Sequence, residues 1–170
     1  SSNRLEACRV VGGKLGLDRA VQGALCVREP LLTGDLPVSF LIVTDEKIFT
    51  GDPAYFSSFL RNCIRFRCAG VAVISDNLDW LARGIDEADR SNLPLIAIPK
   101  GQDMSEWALL AANEIRRALA EKANQVRRAE FQLRNLALTG SGLGPIVKFV
   151  AEYVDNPVLI TNSDRRLIAA

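Results

Sequence analysis

The sequence has 170 residues, of which 48% are hydrophobic and 24% are charged, a composition typical of one globular domain or of a small domain with an appendage. Its 21 basic and 20 acidic side chains give a net charge of +1, which excludes a strong overall attraction to nucleic acid or to an anionic membrane. The chain contains no histidine, so nucleophile–histidine pairs, imidazole zinc ligands and the most common general base are also excluded.

The chain starts without a signal-like apolar stretch, and no apolar run approaches the ~20 residues of a membrane helix. We therefore predict a soluble, cytoplasmic protein with four reduced, mostly buried thiols, at Cys8, Cys26, Cys63 and Cys68. A disulfide or a four-thiolate metal site is the alternative, but the C-x4-C spacing of the last pair is unlike that of zinc sites. We predict no metal and no cofactor. The sequence starts at Ser1, with its single methionine at Met104, and stops inside the apolar run Arg166–Ala170, so we interpret both ends as boundaries within a longer protein.

Two short apolar segments near the start, Ala7–Val11 and Ala24–Val27, predict strands separated by a turn and a helical stretch, Leu15–Gln22. Three nearly continuous apolar runs then predict strands that are buried on both faces. They are Val38–Thr44, Ala69–Ser75 and Leu93–Pro99. We expect all five strands to share one sheet.

Helical patterns separate the three buried strands. The first starts at Asp52-Pro53 and carries apolar side chains at helical spacing as far as Ile64. The second follows the capping residues Ser75-Asp76-Asn77, and its apolar stripe is Leu78, Leu81, Ile85 and Ala88. Two strand–helix–strand units favour right-handed crossovers, so the predicted fold class is α/β, with a mostly parallel sheet and helices on both faces.

A long helix is predicted over 104–138, with Asp103 and Glu106 at capping-box spacing. Its apolar or small residues follow a heptad-like alternation over about four repeats, with Lys122 as the misfit. A helix of roughly 35 residues is about 50 Å long, which exceeds the width of the preceding domain. We predict homodimerisation through this stripe, although its early part, through Leu119, could equally pack on the sheet. The dimerisation residues are Ile115, Leu119, Val126, Ala129, Leu133 and Leu136.

The glycine-rich segment 139–142 ends this helix. A short amphipathic helix, Leu143–Val154, and a β-hairpin formed by Pro157–Thr161 and Leu167–Ile168 are predicted to follow. We interpret residues 139–170 as the opening, α+β part of a second domain.

Ligands of open α/β sheets bind beyond the carboxyl ends of the strands, so polar residues at those positions are the candidate ligand-binding residues. A helix amino terminus after Ser75 would suit a carboxylate or an electron-rich carbonyl group. The alternative interpretation is that these side chains only cap helices and end strands. The Gly12–Gly16 segment matches neither phosphate-loop pattern. The candidates are Gly13, Lys14, Thr44, Asp45, Ser75, Asp76, Asn77 and Lys100.

The segment Val10–Val21, with the sequence VVGGKLGLDRAV, and the strand Ala24–Glu29 resemble the N-terminal purine catabolism regulator-like domain of PucR-type bacterial transcription regulators. The segments Ala69–Val73 and Ala88–Pro99 are also similar to that domain, since an apolar strand follows a short Leu-Pro turn. The resemblance covers roughly residues 5–118. The sequence departs from the family at Phe40–Asp45, where a Gly-Glu pair usually precedes the strand and Thr-Thr-Gly follows it.

The resemblance implies a sensory α/β domain at 1–103, a linker and dimerisation helix at 104–138, and the start of a GAF-like domain at 139–170. It also implies that DNA is bound only through a helix-turn-helix domain outside this chain. Our leading hypothesis is a homodimeric module that senses a small molecule, related to purine or nitrogen catabolism, and relays the signal to that domain. A ligand-free homodimerisation scaffold is the second hypothesis. The third is an enzyme that uses Asp45 or Asp76 with Lys100, although we assign no catalytic residue.

Overall fold

The computed structural model describes residues 5, 7–29, 36–49, 53–140 and 142–169. The chain divides into two compact units, Ser1–Ala118 and Leu119–Ala170. The finer division into a sensory domain, a linker and a GAF-like start stays a prediction. None of the described helices combines the length and the apolar character that a membrane span requires.

Among the described residues, the sheet of the first unit has five strands: β1 (Arg9–Gly12), β2 (Gly23–Cys26), β3 (Phe40–Asp45), β4 (Gly70–Ile74) and β5 (Leu95–Ile98). Their order in the sheet is β1-β5-β4-β3-β2. β2, β3, β4 and β5 are parallel to one another, whereas β1 is an outer strand that runs antiparallel to β5. The predicted α/β class with a mostly parallel sheet is thus confirmed.

Helices cover both faces of this sheet, as the uninterrupted apolar runs predict. α1 (Pro53–Arg65) and α2 (Leu78–Ser91) pack on one face, and α3 (Met104–Leu138) begins on the other. Successive side chains of a strand point to opposite faces, so each central strand contributes to two cores. The first core joins Ile42, Val71 and Val73 to helical side chains such as Phe56, Phe59, Leu60 and Leu81. The second joins Val43, Ala72, Ile74 and Ile98 to Trp107, Ala108 and Ala111.

The helical stretch predicted at Leu15–Gln22 is wrong. The structure has only a short 3-10 turn at Lys14–Gly16, followed by turns and extended chain. Eight residues are too few to stabilise an isolated helix, and tertiary hydrogen bonds hold this segment instead. The Arg19 guanidinium donates to the carbonyl oxygens of Cys68 at 3.2 Å and Ser91 at 2.9 Å. This arginine ties the segment to the amino end of β4 and to the end of α2.

Two of the predicted helix starts are confirmed by their capping bonds. Asn77 Oδ1 accepts from the Trp80 backbone N–H at 3.0 Å, so Asn77 caps α2. Asp103 Oδ1 accepts from the Glu106 backbone N–H at 2.8 Å at the start of α3. Asp52 lies outside the described residues. No disulfide joins cysteines in the described part of the chain, and Cys63 and Cys68 are buried.

α3 is one continuous helix of 35 residues, which confirms the predicted long helix. In the second unit, α4 (Leu143–Val154) and an antiparallel pair, β6 (Ile160–Thr161) with β7 (Leu167–Ala169), match the predicted short helix and hairpin. Ala129 of α3 and Val147 of α4 are the buried side chains of this unit among the described residues.

Candidate functional site

The carboxyl ends of β3, β4 and β5 meet at one edge of the sheet, because these three strands are parallel neighbours. The loops that follow them carry Asp45 and Glu46, Ser75 to Asn77, and Lys100. We call this polar edge, with the residues just named, the rim. It lies where open parallel sheets bind their ligands.

A buried serine and a carboxylate form the centre of the rim. Ser75 is only 2% exposed, and its hydroxyl donates to Oε2 of Glu46. The same hydroxyl oxygen accepts from the Asn77 backbone N–H at 3.1 Å. The other carboxylate oxygen, Oε1, lies 2.6 Å from the Lys100 ammonium. Glu46 therefore joins the loops after β3, β4 and β5.

The electrostatics of this cluster favour the charged forms of both partners. Partial burial would raise the pKa of the Glu46 carboxyl, but hydrogen bonds from Lys100 and Ser75, with the charges of Lys100 and Lys47, hold that pKa below its usual value. The pKa of Lys100 is raised, chiefly by its hydrogen bond to Glu46. A carboxylate with a lowered pKa is a weak base, so the Ser75 hydroxyl is held in place rather than activated.

Asp76 and Asp45 stabilise the loops around this cluster. The Asp76 carboxylate accepts from the Lys100 backbone N–H at 3.2 and 3.3 Å, which links the β4 loop to the β5 loop. Asp45 Oδ1 accepts from the Lys47 backbone N–H at 2.9 Å and starts the 3-10 turn Glu46–Phe49. Thr44 is fully buried, and its hydroxyl donates to the Val27 carbonyl oxygen at 3.1 Å. This hydrogen bond joins the end of β3 to the residue that follows β2.

A cavity of about 200 Å³ opens beside the rim. Its polar lining comes from Ser75, Asp76 and Arg9, and the remaining lining residues are Ala7, Leu78, Ala97 and Pro99. Arg9 was not among the predicted site residues. It reaches this edge because β1 is antiparallel, which pairs Arg9 with Ala97 near the end of β5. No local signal in the sequence gives the direction of β1, so Arg9 could not be found from the sequence.

Gly13 and Lys14 lie near the amino ends of the parallel strands, whereas the other candidates lie at the carboxyl ends. They follow Gly12, which pairs with Leu95 at the start of β5, so the antiparallel direction of β1 separates them from the rim. The Gly13 backbone N–H donates to Asp89 Oδ1 at 2.6 Å, and this loop lines a separate cavity of about 310 Å³. The structure thus brings together Asp45, Ser75, Asp76, Asn77 and Lys100, and leaves Gly13 and Lys14 apart.

The rim is connected directly to the start of α3. Lys100 precedes Met104 by one short loop, in which Asp103 caps the helix. The first turn is also held to the end of β2 and the residues after it. Cys26 Sγ donates to the Met104 carbonyl oxygen at 3.3 Å, and Arg28 donates to Ser105 Oγ at 2.7 Å. Only three residues, 101–103, separate Lys100 from the anchored first turn of α3.

The predicted dimerisation residues differ in their exposure. Ile115, Leu133 and Leu136 are half-buried, and Ala129 is buried with 8% exposure. Leu119 is 45% exposed and Val126 is 44% exposed. Every residue of α3 from 116 to 128 is exposed. The apolar stripe is therefore least covered between Ile115 and Ala129.

Comparison with known proteins gives one informative similarity. The chain is 23% identical over 167 residues, or 97% of its length, to the purine catabolism regulatory protein of Bacillus subtilis. The chain spans about a third of that relative, 32% of its length. No protein-family model matches the chain. The similarity supports a distant relationship to a regulatory protein that extends over almost the whole chain.

Proposed function

We propose that this chain is a regulatory module that binds a small polar molecule at the rim and pairs with a second copy through α3. The observation that carries the proposal is the short connection between Lys100 at the rim and the capped start of α3. The similarity to a purine catabolism regulatory protein supports a regulatory role. In this proposal the chain belongs to a cytoplasmic, PucR-like transcription regulator, residues 139–170 begin a GAF-like domain, and DNA is bound outside this chain.

The rim offers a small ligand both charges and several hydrogen-bonding groups. Asp76 and Glu46 would accept from amide or amine donors, while Arg9 and Lys100 would bind carbonyl or carboxylate oxygens. A ligand that engages Lys100 or Asp76 competes with the bonds that link the β5 loop to the β3 and β4 loops. In this proposal the two α3 helices can pair in two alternative arrangements. A bound ligand shifts the population of the pair only if its affinity differs between them.

A binding experiment tests the sensing part of this proposal. Purines, ureides and related nitrogen metabolites would be screened by thermal shift, and hits would be measured by calorimetry. Asp76→Asn should weaken binding of a hit by at least about tenfold, since it removes a charge at the cavity. Lys14→Ala, at the opposite edge of the sheet, is the matched control and should leave the affinity unchanged. Absence of saturable binding across the whole panel would refute ligand sensing.

A second experiment tests the pairing of α3. Leu119→Asp together with Val126→Asp places two charges on the exposed stripe and should abolish the dimer in sedimentation equilibrium. Asn124→Asp, on the same turns of the helix but off the stripe, should leave it intact. If the wild-type chain is monomeric at about 500 μM, a concentration at which even weak pairs form, the proposed pairing is wrong.

A ligand-free homodimerisation scaffold is the second candidate function. The observation that favours it is the mutual satisfaction of Glu46, Ser75 and Lys100, whose bonds also hold the three loops together without a ligand. The two candidates differ in the calorimetric result, since a scaffold pairs through α3 and binds none of the tested metabolites.

A further inference from the structure

The exposed middle of α3 contains one charged residue on its apolar stripe. Between Leu119 and Val126, the 3-4 spacing places Lys122 on the same face of the helix. Leu119, Lys122 and Val126 are all exposed, and Lys122 has no ion-pair partner within the described part of the chain. This charge therefore lies on the surface that the proposed dimer would cover.

The heptad assignment makes the position of Lys122 specific. Leu119 and Val126 occupy a positions, and Lys122 occupies the d position between them. In a parallel, in-register pair, each layer joins identical residues, so the Lys122 ammonium faces the ammonium of the second copy. The positions that flank this layer are Ala118, Ala123 and Gln125, and none of them carries a carboxylate that could neutralise the two charges.

We propose that Lys122 is the weak layer of the α3 pair and keeps the dimer marginal enough for a ligand to shift it. This inference rests on the pairing proposed above, with both rims at the same end of the pair. The lysine stems can pack in the layer while the ammonium groups turn outward, so the pair forms at a reduced affinity. A ligand can shift the equilibrium between two arrangements of the helix pair only by as much as its affinity for them differs. A weak layer keeps the free-energy difference between the arrangements small enough for such a ligand to reverse.

Sedimentation equilibrium of the full chain tests this proposal, with Lys122→Leu, Lys122→Gln and a control variant. Lys122→Leu should lower the dissociation constant at least about tenfold, because a polar side chain at a core position lowers the stability of a coiled coil. Raising NaCl from about 50 to about 500 mM should tighten the wild-type dimer about threefold, because salt screens the like charges. Both Lys122 variants should lose this salt response.

Arg127→Leu is the matched control, since it also replaces a cation by leucine but lies at an outward-facing b position. It should keep the wild-type dissociation constant and salt response, and circular dichroism should show that every variant is helical. If the wild type dimerises and the Lys122 variants match it in affinity and salt response, the weak-layer proposal is refuted while the dimer stands. If neither the wild type nor Lys122→Leu dimerises, the pairing itself is refuted. A wild type that is monomeric at about 500 μM refutes the pairing, and the weak-layer proposal fails with it, whatever Lys122→Leu does.

Discussion

Truncation of Trp107 should test how firmly α3 is anchored to the sheet. Trp107 is 4% exposed and packs with Val43, Ala72 and Ile98 on the second face. Replacing a buried tryptophan by alanine costs about 3–5 kcal/mol, through lost transfer free energy and the void that remains. An apolar cavity of about 310 Å³ is already lined by Trp107, so the truncation enlarges it. We expect Trp107→Ala to remove a large share of the ~5–15 kcal/mol that stabilises a typical domain.

Urea unfolding followed by fluorescence measures this loss in the first unit. The chain has 2 tryptophans, and Trp80, which packs 4.3 Å from the Phe56 ring, remains as the reporter in the variant. Leu109→Ala is the control, because Leu109 lies on the same helix but is 59% exposed. It should change the free energy of unfolding by less than ~0.5 kcal/mol. Equal effects of the two substitutions would show that α3 is not anchored through Trp107.

Two further predictions concern a turn and a pH dependence. Gly13 has φ +64°, and a Cβ there would lie 1.9 Å from the Leu93 carbonyl oxygen. At Gly101, φ is +88° but no atom lies within 4 Å of such a Cβ. Gly13→Ala should therefore lower the melting temperature much more than the control Gly101→Ala. A melting temperature equal to that of the Gly101 variant would contradict the close approach. The pKa of Glu46 is lowered by folding, so its contribution to stability is present above the unfolded-state pKa and is lost as pH falls through the lower, folded-state pKa. Between about pH 6 and pH 3, the free energy of unfolding of Glu46→Gln, from urea titrations, should fall less than that of the wild type. Parallel pH profiles would show that Glu46 does not contribute in this way.

Local patterns were sufficient for most of the fold. The apolar runs around Ile42, Val71 and Leu95 indicated strands covered on both faces, and capping residues such as Asn77 and Asp103 placed two helix starts. The short stretch at Leu15–Gln22 failed because its conformation depends on distant groups. The carbonyl oxygens of Cys68 and Ser91, which bind Arg19, are remote in sequence and left no local periodicity to detect.

The sequence predicted only those parts of the candidate site that follow directly from the parallel arrangement of the strands. Ser75, Asp76, Asn77 and Lys100 follow neighbouring parallel strands, so their approach at one edge follows from the strand–helix–strand pattern. Glu46 was not among the predicted site residues, although it directly follows Asp45, and its bonds to Ser75 and Lys100 required the structure.

The alternation of apolar strands and amphipathic helices by itself determined the α/β class, the two covered faces and the long helix, because periodicity and caps are properties of neighbouring residues. The direction of β1 was decided only in the tertiary structure. An edge strand has the same side-chain pattern in either direction, and its hydrogen bonds to β5 select one of them. That single choice brings Arg9 to the rim and takes Gly13 and Lys14 to the far edge of the sheet.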